Sequence, residues 1–169
     1  MSRLRRLLES RRIFFITTHF ASQALPIAHS EFAIILQSLA ETRVHRKSLL
    51  LAYCLMPTHL HLLVAPSNDD RLSSVMREVK IRSAKRMRAA RPQQKTLWQA
   101  RYFDRIMRHR QEFSETLNYI HLNPVKDGLV NSPDRWPWSS WSGWQTDGNP
   151  PVPVDRVDLA IDGRSPLRW

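Results

Sequence analysis

The amino-acid sequence predicts an α+β domain: an antiparallel sheet built in β-α-β-β-α-β order, with one further helix after it. Two early segments repeat apolar residues at the i, i+3, i+4, i+7 spacing of an amphipathic helix. Two nearly continuous apolar runs are separated only by Pro57-Thr58, which reads as a hairpin. At 169 residues the chain is long enough for one domain with a sizeable core and short for two.

The elements follow in order. Residues 12 to 20 (RIFFITTHF) read as a first strand. The preceding SRRIFFI resembles a twin-arginine export signal only superficially, because the apolar stretch turns polar at Thr17, Thr18 and His19. Phe32, Ile35, Leu36 and Leu39 mark a helix over about 31 to 46, with Ser30 as its expected N-cap. Ser48 to Met56 forms the next strand, and Pro57-Thr58 turns it into MPTHLHLLVAP, a hairpin expected at the sheet centre. Leu72, Val75, Met76 and Val79 predict a second helix to about Arg88, followed by a polar loop from Arg91 to Thr96. Trp98 to Met107 reads as a fourth strand, and a third helix runs from about Gln111 to Asn123, with Pro124 and Gly128 as stop signals. The first six elements match a ferredoxin-like sheet with helices on one side, and the last supplies the additional helix. Such a fold hosts many functions and names none.

Composition divides the chain into a basic segment over 1–11, a domain over 12–145 and a proline-rich tail over 146–169. Five of the six tryptophans and six of the 11 prolines lie beyond Asn131, so WPWSSWSGW is expected to pack on the domain surface ahead of an irregular tail.

Twenty-six Lys and Arg against 15 Asp and Glu give a formal charge of +11, which favours polyanionic partners, nucleic acid first. Residues 77 to 110 alone hold 12 of the basic residues and only two acids, Glu78 and Asp104. From this stretch Arg77, Lys80, Arg82, Lys85, Arg86, Arg101, Arg105 and Arg108 are the candidate DNA-binding residues, expected to contact phosphates. Trp98, Tyr102 and Phe103 lie among them and are candidates for stacking on unpaired bases, although strand aromatics are more often core. One cysteine, Cys54, excludes an intramolecular disulfide and a cysteine-rich zinc site, and with no run of about 18 apolar residues the expectation is a cytoplasmic, nucleoid-associated protein without a membrane partner.

Side chains alternate between the faces of a strand, so His59 and His61 leave the same face, roughly 6.5 to 7 Å apart along the chain, while Leu60, Leu62 and Val64 point the other way. Two imidazoles so placed suit a metal ion, or else are half-buried core histidines with backbone partners. In the third helix Tyr119 lies at the edge of the apolar stripe of Phe113, Leu117 and Ile120, and Asn123 sits one turn beneath it. A tyrosine hydroxyl is a possible nucleophile and an amide oxygen a hard metal donor; the alternative is a core tyrosine and a helix-terminal asparagine. His121, about 200° around the helix from Tyr119, faces elsewhere.

THLHLLV on one strand, LWQARYFDRIMR on a later one and YIHLNPVKDGLV closing a helix together resemble the HUH single-tyrosine transposases, and most closely their REP-associated tyrosine transposase branch, over roughly residues 12 to 130. The resemblance implies a metal-dependent endonuclease and strand transferase on single-stranded or hairpin DNA, working through a 5′-phosphotyrosine intermediate. It places His59, His61 and Asn123 as metal ligands and Tyr119 as nucleophile, with Leu60 in the hydrophobic middle position. No small-molecule cofactor is implied. The metal would be Mg²⁺ or Mn²⁺, the latter accepting imidazole more readily. A lone tyrosine supplies one cleavage per subunit, and the resemblance implies a monomer or a homodimer. The alternative on the same scaffold is a hairpin-binding protein that does not cut.

Overall fold

In the computed structural model, which describes residues 12–145 and 148–157, four strands and three helices alternate in the expected order. They are β1 (Phe14–His19), α1 (His29–His45), β2 (Leu49–Leu55), β3 (His59–Ala65), α2 (Leu72–Ala90), β4 (Phe103–Ile106) and α3 (Arg110–Lys126). The sheet is antiparallel throughout, with spatial order β2-β3-β1-β4. That is the ferredoxin-like arrangement, in which sequence-distant β1 and β3 become the central pair. The predicted segment 1–11 and the tail beyond Val157 lie outside the described residues.

Register decides which side chains share a face. Opposite β3, Phe15 pairs with Leu63, Thr17 with His61 and His19 with His59. On its other side β1 pairs Thr17 with Phe103 and Phe15 with Arg105. Cross-strand partners point the same way, so one face carries the two histidines of β3, His19, Thr17, Phe15, Phe103 and Arg105. Leu60, Leu62 and Val64 occupy the other face and are buried, each contributing roughly 1.5–3 kcal/mol. A one-residue slip would exchange the two sets, so burying these aliphatics fixes where the histidines emerge.

As expected, the two helices of the β-α-β-β-α-β unit pack together on one side of the sheet, and the additional helix α3 lies on the other. Tyr119 of α3 packs against His61 and Phe15, on the histidine face. The pair α1 and α2 shares the buried apolar stripe of Phe32, Ile35, Leu36, Leu39, Val75, Met76 and Val79. Helix α1 begins at His29, two residues early, because Ala28 rather than Ser30 is the N-cap: its backbone N–H donates to Glu31 Oε2 at 2.7 Å. Glu31 is held in turn by Arg91, which also donates to the carbonyls of Ala24 and Pro26.

Three further expectations are corrected. The hairpin of β2 and β3 is not central, since β2 is an edge strand. Its edge is covered by the tryptophan-rich segment: Leu55 N donates to the Trp138 carbonyl, Ser140 N to the Tyr53 carbonyl, and the Trp136 and Trp144 indoles to the carbonyls of Leu55 and Leu51. Asp155 continues the cover, accepting from Leu50 N at 3.0 Å and pairing with Arg43, while Val152 and Val157 are buried. Irregular backbone thus satisfies an edge that would otherwise offer unpaired groups. The fourth strand is shorter than predicted: only 103–106 form β4, and Trp98 makes an isolated bridge to Phe20. The Lys80 ammonium explains this, because it takes the carbonyls of Gln99, Ala100 and Arg101 away from sheet pairing.

Helix α3 does not stop at Asn123 but continues through Pro124 to Lys126. Its end is set by Gly128 at φ +69°, whose N–H donates to the Val125 carbonyl while Leu129 N–H returns to Pro124. That left-handed residue favours glycine. On the buried side of α3, His121 meets Ser140 Oγ at 2.9 Å, and burial pushes its pKa down from 6.5 to about 3.

A histidine held neutral in the fold binds fewer protons than its unfolded form once the pH drops below about 6.5, so stability falls with pH from there. Chemical denaturation at pH 7 and pH 5 should show a loss of up to about 2 kcal/mol attributable to His121, at about 1.4 kcal/mol per pH unit. The lowered carboxylates Glu31, Glu41 and Glu78 contribute only at lower pH. His121→Gln should shrink the drop, and an unchanged drop would contradict this origin.

Candidate active site and nucleic-acid interface

Three elements converge on the histidine face. The Nε2 atoms of His59 and His61 lie 2.9 Å apart. Each ring is steadied from behind by a hydroxyl at 2.9 Å: Thr58 Oγ1 on His59 Nδ1, and Thr17 Oγ1 on His61 Nδ1. With each Nδ1 facing a threonine hydroxyl, the two Nε2 atoms are turned toward one another. The Asn123 side chain, buried on α3, lies beside both rings and acts as a hydrogen-bond partner that works to raise their pKa values.

Burial outweighs that influence. It lowers the pKa of His59, with His19 adding repulsion, and takes His61 down to about 3, with His59 and His19 assisting. Both rings are therefore neutral near pH 7, the state in which imidazole can ligate a cation. Among the described residues no three His, Cys, Asp or Glu side chains gather into a metal site; the Asn123 amide, beside both rings, is an oxygen donor available on the same face. The donor set fits a divalent cation: bonds of about 2.1 Å at a right angle separate two ligating nitrogens by about 3 Å, matching the 2.9 Å between the Nε2 atoms.

Tyr119 stands next to this pair, its ring 5.3 Å from that of His61 and edge-on to Phe15 at 6.0 Å. It remains 40% exposed, so the phenol is held by aromatic walls yet open to solvent. The Lys126 ammonium lies 5.0 Å from the Tyr119 ring centre, a position available only because α3 runs on past Pro124. A cavity of about 380 Å³ opens beside Tyr119, lined also by Phe15, Phe103, Arg105, Glu115 and Thr116. His19 lies 5.2 Å from His59, ring centre to ring centre, and is exposed. Sequence reasoning did not single out Thr17, Thr58, Phe15 or Lys126. Register opposite His61 was the signal available for Thr17, and the i+7 spacing from Tyr119 for Lys126.

The predicted DNA-binding residues separate into two groups. Arg77, Lys85, Arg101, Arg105 and Arg108 are exposed. Arg82 and Arg86 are engaged within the protein, Arg82 with Glu78 at 2.7 Å and Glu41 at 3.2 Å, and Arg86 with Glu41 at 2.7 Å. Burial works to raise the Glu78 carboxyl, but Arg46, Arg82 and His45 outweigh it and bring it down to about 2. Lys80 is the carbonyl clamp described above and also lies 5.4 Å from the Tyr102 ring. Part of the basic excess is thus paired within the protein, because α1 contributes Glu41, which the stretch 77–110 does not contain. Of the three candidate stacking aromatics, Trp98 is buried on Phe20 with its indole donating to Ser83, and Tyr102 is half-buried. Phe103 is 56% exposed.

Comparison with known proteins gives a consistent result. A REP-associated tyrosine transposase of Escherichia coli K12 is 25% identical over 142 residues, 83% of each chain. A solved structure described as a REP-associated tyrosine transposase bound to a REP hairpin superposes with a TM-score of 0.71 at 21% identity, covering 90% of this chain and 89% of that one, and shows the shared fold. The family model described as "Transposase IS200 like" matches residues 27–123, a span that takes in His59, His61, Tyr119 and Asn123. Matched over more than half its length, the chain belongs to the IS200-like transposase family.

Proposed function

We propose that the chain is a metal-dependent single-strand DNA endonuclease and strand transferase that acts on REP-like hairpin DNA through a 5′-phosphotyrosine intermediate. The observation that carries this reading is the meeting of an exposed phenol, two neutral imidazoles with Nε2 atoms 2.9 Å apart, and a buried amide reaching both. Family membership supports the transposase class, and the relative bound to a REP hairpin suggests the form of DNA.

In this reading the Tyr119 oxygen attacks a backbone phosphorus. The new O–P bond forms as the bond from phosphorus to the 3′-oxygen breaks. The phenol proton passes to water, and the departing 3′-oxygen takes one up. One phosphate ester is exchanged for another, so a 3′-hydroxyl can reverse the step and join strands. Phe15 and His61 hold the phenol ring. Lys126 places a positive charge where the phosphate must arrive. Thr17 and Thr58 fix the orientation of the two histidines, which with Asn123 would hold the cation. That cation, Mg²⁺ or Mn²⁺, supplies Lewis-acid polarisation of the phosphate oxygens. The cleavage site belongs to a basic domain, and its place of action would be the nucleoid in the cytoplasm.

On a denaturing gel, wild-type protein with Mn²⁺ and labelled single-stranded hairpins should give a protease-sensitive covalent band. Tyr119→Phe should lose that band while retaining DNA affinity within a few-fold, and a band of full intensity in the mutant would remove Tyr119 as nucleophile. Manganese binding followed by electron paramagnetic resonance should weaken at least 10-fold in His61→Ala and in Asn123→Ala; undiminished binding in both would place the cation elsewhere.

Exposed and engaged arginines should also behave differently. Lys85→Ala and Arg108→Ala are each expected to reduce the slope of log affinity against log salt by about one. Arg86→Ala should act chiefly by lowering thermal stability, since it releases Glu41. A salt slope that moved only in Arg86→Ala would reverse this assignment.

A further inference from the structure

The cavity beside Tyr119 is larger than a phenol needs and differs in chemistry from the histidine site. One wall is the exposed Phe103 ring on edge strand β4, edge-on to Phe15 at 6.2 Å. At its rim the Arg105 guanidinium lies 6.0 Å from the Phe15 ring centre, 3.4 Å from Thr116 Oγ1 and 3.4 Å from Glu112. Glu115 of α3 also lines it, steadied by Gln111 Nε2, which donates to Oε1 at 2.9 Å. An aromatic face, a forked cation and a carboxylate thus surround about 380 Å³ of open space.

From this arrangement we infer that the cavity is a base-specificity site that seats one unpaired guanine of the DNA strand next to the phosphate presented to Tyr119. This rests on the proposed reading of Tyr119 as the nucleophile. Stacking on Phe103 is available to every base because every base has a π-face. The polar pair is selective. Guanine presents O6 and N7 as adjacent acceptors, which a guanidinium can address with two donors. Its N1–H and exocyclic amine are donors suited to a carboxylate. Adenine offers N7 beside an amino donor, and the pyrimidines lack the N7 edge, so neither satisfies both groups. Arg105 and Phe103 are consecutive same-face residues of β4, and Glu115 and Tyr119 are one helical turn apart, so base seat and nucleophile are built on the same two elements. Arg105 and Glu115 are specificity-determining residues in this proposal, and Phe103 is the stacking platform.

The test is binding of the full chain, in chelator so that nothing is cut, to 12-nucleotide oligothymidines whose single central residue is G, A, C or T. The G oligonucleotide should bind tightest, and Phe103→Ala should weaken it roughly 5- to 150-fold, the span of one base stack. Phe103→Leu, which keeps an apolar side chain on the edge strand, should weaken it as well. Replacing the guanine by 7-deazaguanine should cost affinity in the wild type but not in Arg105→Ala, and replacing it by inosine should cost affinity in the wild type but not in Glu115→Gln. Equal affinity for all four central bases, or analogue penalties that persist in those variants, would overturn the proposal. A guanine preference with no covalent band on the gel would sustain the seat and remove the nuclease reading; a covalent band without guanine preference would do the reverse.

Discussion

The antiparallel pairing of β1 with β3 is the constraint on which the rest of the molecule depends. Because Thr17 lies opposite His61 and His19 opposite His59, one register sets the orientation of both imidazoles, the hydroxyl behind His61 and the neighbouring aromatic Phe15. The register is enforced by burial, not by the polar site. Leu60, Leu62 and Val64 are fully interior on the reverse face, and shifting the strand would expose them. The chemistry of one face is thus held in place by the hydrophobic effect on the other.

A second dependence runs through α3. Tyr119 and Asn123 sit one turn apart, which brings the phenol and the amide to the same sheet face, and the helix is carried past Pro124 until Gly128 ends it in a left-handed conformation. This continuation positions Lys126 against Tyr119. The reverse side of α3 is anchored through His121 to Ser140, in the segment that closes the β2 edge. The tryptophan-rich stretch therefore does more than shield a surface: it ties the helix bearing Tyr119 to the sheet bearing the histidines.

Much of this was legible in the sequence because period and spacing report local geometry. The two-residue alternation around His59 and His61, the helical spacing of Tyr119 and Asn123 and the order of elements all depend on neighbours along the chain. What escaped depends on partners far away. Trp98 to Tyr102 have strand-like composition, yet Lys80, 19 to 21 residues upstream, takes the carbonyls of Gln99, Ala100 and Arg101. The basic run of α2 shows one acid of its own, Glu78, but the partner shared by Arg82 and Arg86, Glu41, lies on α1. Pro124 reads as a stop, but the missing N–H removes one intrahelical bond and the last turn forms around it. The place of β2 at an edge follows from β1 entering between β3 and β4, which no local pattern announces.

The most direct test of the account is mass spectrometry of the protein trapped on single-stranded hairpin DNA, digested with nuclease and trypsin. Cleavage after Arg110 and Lys126 releases the peptide of residues 111–126, in which Tyr119 is the sole tyrosine. The account predicts a residual nucleotide mass on this peptide, localised to Tyr119 by fragmentation and dependent on divalent metal. A nucleotide mass on Ser114, Thr116 or any other peptide, with Tyr119 unmodified, would contradict it.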